Sequence, residues 1–391
     1  MSDFVIPGVK RHEPEMIAIR RHLHAHPELS LEEYETSQFV AEKLTEWGYQ
    51  VTRELGKTGL VGSLKKGTSD KSIGLRADMD ALPVHETTGL SYASTRPGKM
   101  HACGHDGHTT ILLAAARYLA EDECQFDGTV HLIFQPAEEA IGGADLMIKD
   151  GLFERFPCDA VYALHNRPGL PAGKFGFYAG HFMASADTVK ITVQGKGGHG
   201  AHPETTVDPI LVASALVMSL QTIVSRNVTP GETAIVTVGT FHAGFASNVI
   251  PQSAEMELTV RAMKPEIREL LIRRIHEISE LTAQSYGASA SLQVYESYPV
   301  LTNSDKHTAE AKALAIDVFG RDAVEDNIIP STGSEDFSFM LEKRPGTYFL
   351  LGNDGEGKQG CSLHNPGYDF NDQIISSGAS FFVKLVQQHC R

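Results

Sequence analysis

The stretch 73-IGLRADMDALP-83 decides the architecture: an apolar run, β-rich and too short for a helix, stops abruptly at two aspartates, Asp78 and Asp80. The same pattern returns in 129-TVHLIFQP-136, followed by Glu138 and Glu139, and in 159-DAVYALHN-166, which ends on His165. Between the first two lies 109-TTILLAAARYLA-120, which reads as a helix. Alternating strands and helices predict an α/β fold, with a mixed, mostly parallel sheet flanked by helices. In such sheets chemistry gathers beyond the carboxyl ends of the strands, where these acids and the histidine sit. Upstream, residues 13 to 50 read as two helices parted at HPEL, the second opened by a capping box of Ser30 and Glu33 and closed near Trp47 and Gly48.

From about Thr188 the texture changes. Residues 188-TVKITVQG, 233-TAIVTVGTFHAG and 254-AEMELTVRAM alternate as strands with one wet face. An apolar helix, 207-VDPILVASALVMSLQTIV, a charged helix near 265 to 286 and a last strand near 289 to 298 complete a small α+β piece. The α/β texture then resumes with a helix over 304 to 319, the strand 347-TYFLLG and a helix near 371 to 388. The predicted organisation is therefore a catalytic domain in two parts, 1–186 and 296–391, with a smaller domain inserted at 187–295. A chain of 391 residues is long enough for two cores.

A net charge of -15 with no long block of Lys or Arg argues against a nucleic-acid partner. The N-terminus lacks a signal-peptide pattern and no stretch approaches the roughly 20 apolar residues of a spanning helix, so no membrane partner and a cytoplasmic location are expected. Five scattered cysteines without a C-x-x-C pair suggest reduced thiols rather than a disulfide framework.

Four short segments carry candidate chemistry. In 100-MHACGHDGHTT-110, Cys103 and His105 flank Gly104 ahead of a helix expected to begin near Thr109, a position that eases thiol ionisation. Alone, the run is a metal site or a polar loop. In 134-FQPAEEAIGG-143, Glu138 and Glu139 stand side by side with no adjacent cation, as an acidic loop or as a ligand beside a proton carrier. His165 and His364, the latter in 361-CSLHNPGYDF-370, supply two more imidazoles. Together these give one thiolate, three imidazoles and a carboxylate, with a second carboxylate to spare. Five ligands exceed the needs of one four-coordinate ion, so two ions about 3.5–4 Å apart are expected.

With these segments in order, the chain resembles the metal-dependent aminoacylase and carboxypeptidase superfamily, in its hippurate hydrolase and indole-acetyl-amino-acid hydrolase branch. The resemblance runs through 20-RRHLHAHPELSLEEYET, 75-LRADMDALP, 100-MHACGHDGH, 135-QPAEE, 164-LHN, 197-GGHGAHPETTVDPI, 247-SNVIP, 333-GSEDFSF and 363-LHNPGYDFND. It implies metal ligands at Cys103, His105, Glu139, His165 and His364, with Glu138 as general base. Asp80 resembles the carboxylate that orients a ligand imidazole. His199, in the glycine-rich turn GKGGHGAHP, is implied to reach the scissile carbonyl, often in the neighbouring subunit's site. His202 is a second candidate in that turn, and Asn248 and Arg261 are implied to hold substrate. The inserted domain is implied to be a lid that forms the dimer contact. His22, His24, His26, His101 and His108 are not expected to be ligands, Arg76 is expected to have a structural partner, and Asp106 is expected at the helix start or behind the ligands.

The expected function is hydrolysis of the amide bond of N-acyl-amino acids, a small-molecule substrate, by a homodimer or dimer-based oligomer. The cofactors expected are two divalent ions, zinc or manganese, with cobalt or nickel also compatible. A dipeptidase and an N-acetyl-diaminopimelate deacetylase are the rival enzymes. A metal-binding or thiol-sensing protein that merely retains the fold is the rival of another class.

Overall fold

A computed structural model describes residues 4–355 and 361–391. It divides into two compact units, Met1–Gly180 with Thr302–Ile329 and Asp336–Arg391, and His181–Leu301 with Pro330–Glu335. The second unit contains all of residues 187–295 and also takes in the late segment Pro330–Glu335, which its sequence does not announce.

The first unit is built on an eight-stranded sheet. Its centre is parallel: Gly128–Gln135, Ser72–Asp78, Ala160–Pro171 and Gly346–Asp354 lie side by side in that order. Antiparallel strands Gln50–Leu55 and Gly59–Lys66 extend one edge. Ser72–Asp78 is buried along its whole length, which explains its largely apolar texture; its Arg76 and Asp78 are buried with it. The helix His105–Leu119 lies against this sheet between Glu13–Ala25 and Ile375–His389, with thirteen of its fifteen residues buried. The register pairs Asp78 with Gln135 and Arg76 with Ala163, so Asp78, the end of the Gln135 strand and His165 stand level.

Two local expectations are corrected. The helix carrying the histidine run begins at His105, not Thr109, because Gly104 adopts φ 94° as N-cap. A side chain at Gly104 would strike Asn166 and Tyr368. Ser30 and Glu33 do not form a capping box. Ser30 gives its hydroxyl to Asp80 at 2.7 Å, and Glu28 accepts the amides of Glu35 and Thr36 at the start of the helix Tyr34–Glu46.

The second unit carries a four-stranded antiparallel sheet ordered Ala234–Ala243, Ser253–Ala262, Ser185–Gln194 and Ser289–Tyr298. Strand Ser253–Ala262 alternates buried and open positions, and Met256, Leu258 and Val260 meet the apolar faces of helices Pro209–Leu220 and Pro265–Ser285. Contrary to expectation, one helical run, Pro209–Asn227, is long and apolar enough to cross a membrane by length and composition. Val212, Ala213, Leu216, Leu220 and Ile223 from that run fill the core of this unit, while Leu211 and Met218 are exposed.

Candidate metal centre

The candidate ligands of the first unit come together from the turn after strand Gly128–Gln135 (Glu139), the strand Ala160–Pro171 (His165), the start of helix His105–Leu119 (Cys103, His105) and the late segment that holds His364. Ligand atoms of Cys103, His105 and His165 lie within 4.8 Å of one another, as do those of Cys103, Glu139 and His364, and those of His105, Glu138 and Glu139. Cys103 belongs to two of these groups. His364 holds φ 64° and donates its amide to the Ala102 carbonyl at 2.8 Å, which ties a segment from far along the chain to the histidine run.

Hydrogen bonds behind the candidate ligands decide which atoms face inward. His105 Nδ1 lies 2.9 Å from the Asp80 carbonyl and 3.3 Å from Asp80 Oδ1, leaving Nε2 buried without a partner. His165 Nδ1 donates to the Asn166 carbonyl at 2.7 Å, leaving Nε2 3.4 Å from Cys103 Sγ. Asp80 also accepts the amides of Glu138 at 3.1 Å and Glu139 at 3.0 Å, one on each oxygen. It thereby orients an imidazole and the paired glutamates at once. Glu139 Oε1 is buried without a hydrogen bond, although His364 Nε2 lies 3.2 Å away; the contact is close but not aligned.

The electrostatics of the cluster call for positive charge. Burial and then the charges of Glu139, Glu138 and Asp78 push the Cys103 thiol well above its ordinary value. Cys103 immediately precedes the N-cap of that helix, and without a cation burial and the neighbouring carboxylates oppose the ionisation that the helix terminus favours. Burial opposes a charge on His105, yet Asp78, Asp80 and Glu139 raise it to about 10. Burial and the neighbouring His108 hold His165 well below its usual value. A divalent cation would take the place of protons on Cys103 and His105. Orphaned His105 Nε2 and Glu139 Oε1, with a thiol, imidazole and carboxylate donor set, fit such an ion.

A second buried network braces the candidate ligands, and most of it is illegible in the sequence. Arg76, fully buried, donates to Asp78 at 2.6 Å, to Asp336 at 3.0 Å and to Gln135 at 2.8 Å. Asp78 also meets His108 Nδ1 at 2.6 Å, and His108 Nε2 lies 2.7 Å from Asn166 Oδ1. Asp78 and His108 therefore brace the site, and Arg76 has the structural partners expected of it. Asp336 lay inside the segment GSEDFSF, but nothing local tied it to a strand 260 residues upstream. Asp106 sits in the first helical turn and faces His24 Nδ1 at 2.8 Å; that contact raises His24 to about 9 despite its burial.

The remaining candidates belong to the second unit. His199 and Asn248 are exposed neighbours: strand Gly198–His199 pairs with Val249–Ile250, and the Gly200 amide donates to the Asn248 carbonyl at 2.9 Å. His199 Nδ1 accepts the Ala201 amide at 3.0 Å, so the ring of a neutral His199 carries its proton on Nε2. His202 is exposed beside it. Arg261 stands near the far end of strand Ser253–Ala262, where Nη1 donates to Ser334 Oγ at 3.1 Å.

Comparison with known proteins places the whole chain in a family. Residues 74–388 match the model of "Peptidase family M20/M25/M40". The chain is 45% identical over 387 residues to hippurate hydrolase of Campylobacter jejuni, covering 99% of this chain and 100% of that one. It is 40% identical over 378 residues to N-acetyl-L-cysteine deacetylase of Bacillus subtilis, covering 95% and 87%. Among solved structures, the YXEP protein of Bacillus subtilis, described as a dinuclear metal binding peptidase from the M20 family, aligns with a TM-score of 0.84 at 32% identity, covering 97% of this chain and 98% of that one. From ordered motifs to matching structure, the chain belongs to peptidase family M20/M25/M40, in the branch that holds the hippurate and IAA-amino acid hydrolases.

Proposed function

We propose that the protein is a metal-dependent amidohydrolase that cleaves the amide bond of N-acyl-amino acids to a carboxylic acid and a free amino acid. The observation that carries this reading is the pair Glu138–Glu139, held on one turn by Asp80 beside a thiol and three imidazoles. Cys103, His105, Glu139, His165 and His364 would hold two divalent ions, zinc or manganese, with cobalt or nickel also suited to the donor set. Bound there, the ions would acidify a water and polarise the carbonyl. Glu138 takes the proton of the attacking water and delivers it to the departing amine. Binding alone needs no second carboxylate beside the ligand, which disfavours a mere metal store or thiol sensor. The names of the relatives, a hippurate hydrolase and an N-acetyl-L-cysteine deacetylase, support the substrate class.

The second unit is read as a lid. His199 Nε2–H is a donor for the developing oxyanion, a contribution of about 3 kcal/mol for one such group. Asn248 assists it, and the Arg261 guanidinium takes the substrate carboxylate in a fork. His199 and Asn248 lie towards the start of strand Ser253–Ala262 and Arg261 lies at its end, with roughly 27 Å of strand between Ser253 and Arg261. That separation supports a homodimer or dimer-based oligomer in which His199 serves the partner's site. Exposed Leu211 and Met218 on helix Pro209–Leu220 give this unit apolar surface for the contact. Five free thiols suit the reducing cytoplasm.

The test is Glu138→Gln assayed on N-acetyl, N-benzoyl and indole-acetyl amino acids beside plain dipeptides. Metal content is expected to stay at the wild-type level while kcat falls about 100- to 10,000-fold. Normal turnover of the metal-loaded variant would refute the mechanism, and preference for dipeptides would refute the substrate class.

A further inference from the structure

The turn that carries Glu138 and Glu139 is strained at its first residue. Beyond the strand Gly128–Gln135 and Pro136, Ala137 holds φ 53°, a left-handed conformation that disfavours any residue with a Cβ. Its carbonyl accepts the Gly143 amide at 3.1 Å, and its own amide donates to Glu33 Oε1 at 3.0 Å.

Glu33 comes from 104 residues upstream and is completely buried. It occupies the N-cap of the helix Tyr34–Glu46, yet its side chain caps nothing there, since Glu28 accepts the first-turn amides instead. A buried carboxylate released from local helix duty is costly unless its oxygens find partners elsewhere. Thr58 Oγ1 donates to one oxygen at 2.6 Å, and the Ala137 amide occupies the other. Asp80 holds the next two amides, those of Glu138 and Glu139. Three consecutive amides are thus gripped by two buried carboxylates, and only the strained one depends on Glu33.

We infer that Glu33 is a positioning residue of the metal centre, pinning the Ala137 amide so that the left-handed turn aims Glu139 at the ion and Glu138 at the water. The inference rests on the proposed roles of those two glutamates. It requires an acceptor at position 33, not a charge. In Glu33→Gln the amide oxygen still accepts from Ala137, and the amide nitrogen turns to Thr58, whose hydroxyl accepts as readily as it donates. In Glu33→Ala no acceptor remains.

The experiment titrates chelator-stripped protein with Zn²⁺ alone and with Mn²⁺ alone by calorimetry, alongside kcat and KM on N-acyl-amino acids and thermal melting of the stripped forms. Glu33→Ala is expected to weaken the binding of one ion about tenfold or more and to lower kcat with little change in KM, while Glu33→Gln stays within about threefold of wild type. Adding Ala137→Gly to Glu33→Ala removes the penalty on the left-handed turn, and is expected to recover about threefold or more of the lost affinity. Thr58→Val, which keeps the shape and loosens Glu33, is expected to lose affinity in the same direction, and it carries the test if Glu33→Ala fails to fold.

Unchanged ion affinity in Glu33→Ala, or in Thr58→Val if only that variant folds, overturns the inference. So do equal losses in Glu33→Gln and Glu33→Ala, and a fall in melting temperature without any change in ion binding. If wild type hydrolyses no N-acyl-amino acid but the affinity pattern holds, the proposed substrate class falls and the role of Glu33 stands. If wild type is active and Glu33→Ala binds ions normally, the reverse is true.

Discussion

Loading the site with metal should expel protons, and the structure sets how many. Without a cation, burial and three carboxylates keep Cys103 protonated, and His105 remains protonated to about pH 10. Both must lose a proton before Sγ and Nε2 can ligate. Each released proton makes the apparent binding free energy more favourable by about 1.4 kcal/mol per pH unit. Two protons therefore give about 2.7 kcal/mol, or an affinity that rises about 100-fold per pH unit between pH 7 and 9. The sign is fixed by linkage: His105 has a higher pKa folded than unfolded, so its contribution to stripped-protein stability is full below about pH 6.5 and lost as pH rises towards 10. The gap in melting temperature between loaded and stripped protein should accordingly widen with pH. Calorimetric titration of the stripped protein in buffers of different ionisation enthalpy counts the protons directly. Release of fewer than one proton per loaded protein at pH 8, with a flat affinity profile, would refute the charge balance derived for Cys103 and His105.

Two further perturbations follow from the contacts around the site. Asp80→Asn places an NH₂ donor where one of the Glu138 and Glu139 amides now finds an acceptor, and should weaken metal binding about 10- to 100-fold in an ion titration; unchanged affinity would remove Asp80 from the support of the ligands. Arg76→Met leaves Asp78 and Asp336 buried without their shared cation and should destabilise the fold by about 3–5 kcal/mol in urea unfolding of the stripped protein. A loss below about 1 kcal/mol would show that the network tolerates its removal.

Much of the candidate site was readable in the chain because most of its residues lie in or beside elements with a strong local pattern. Asp78 and His165 lie in apolar strand runs, Glu138 and Glu139 follow the third such run, and Cys103 and His105 flank the glycine that starts a helix. What escaped were groups whose meaning depends on distant partners. Ser30 and Glu33 matched a capping box by spacing, yet Asp80, Thr58 and Ala137 compete for their side chains more successfully than the helix terminus does. The cost of ionising Cys103 without a cation is hidden for the same reason: the helix terminus is visible in sequence, whereas burial and the neighbouring carboxylates arise only on folding.

The sequence by itself determined the alternation of strands and helices, the change of texture that marks the second unit, and the residue types available to hold an ion. Those follow from periodicity and composition, which act within a few residues. Only the tertiary structure decided which nitrogen of His105 faces inward, that Asp80 grips two successive glutamate amides, and that Arg76 joins Asp78 to Asp336. Those choices are made by hydrogen bonds and charges in a buried setting, where an unpaired polar group is costly and its partners come from elements far apart in the chain.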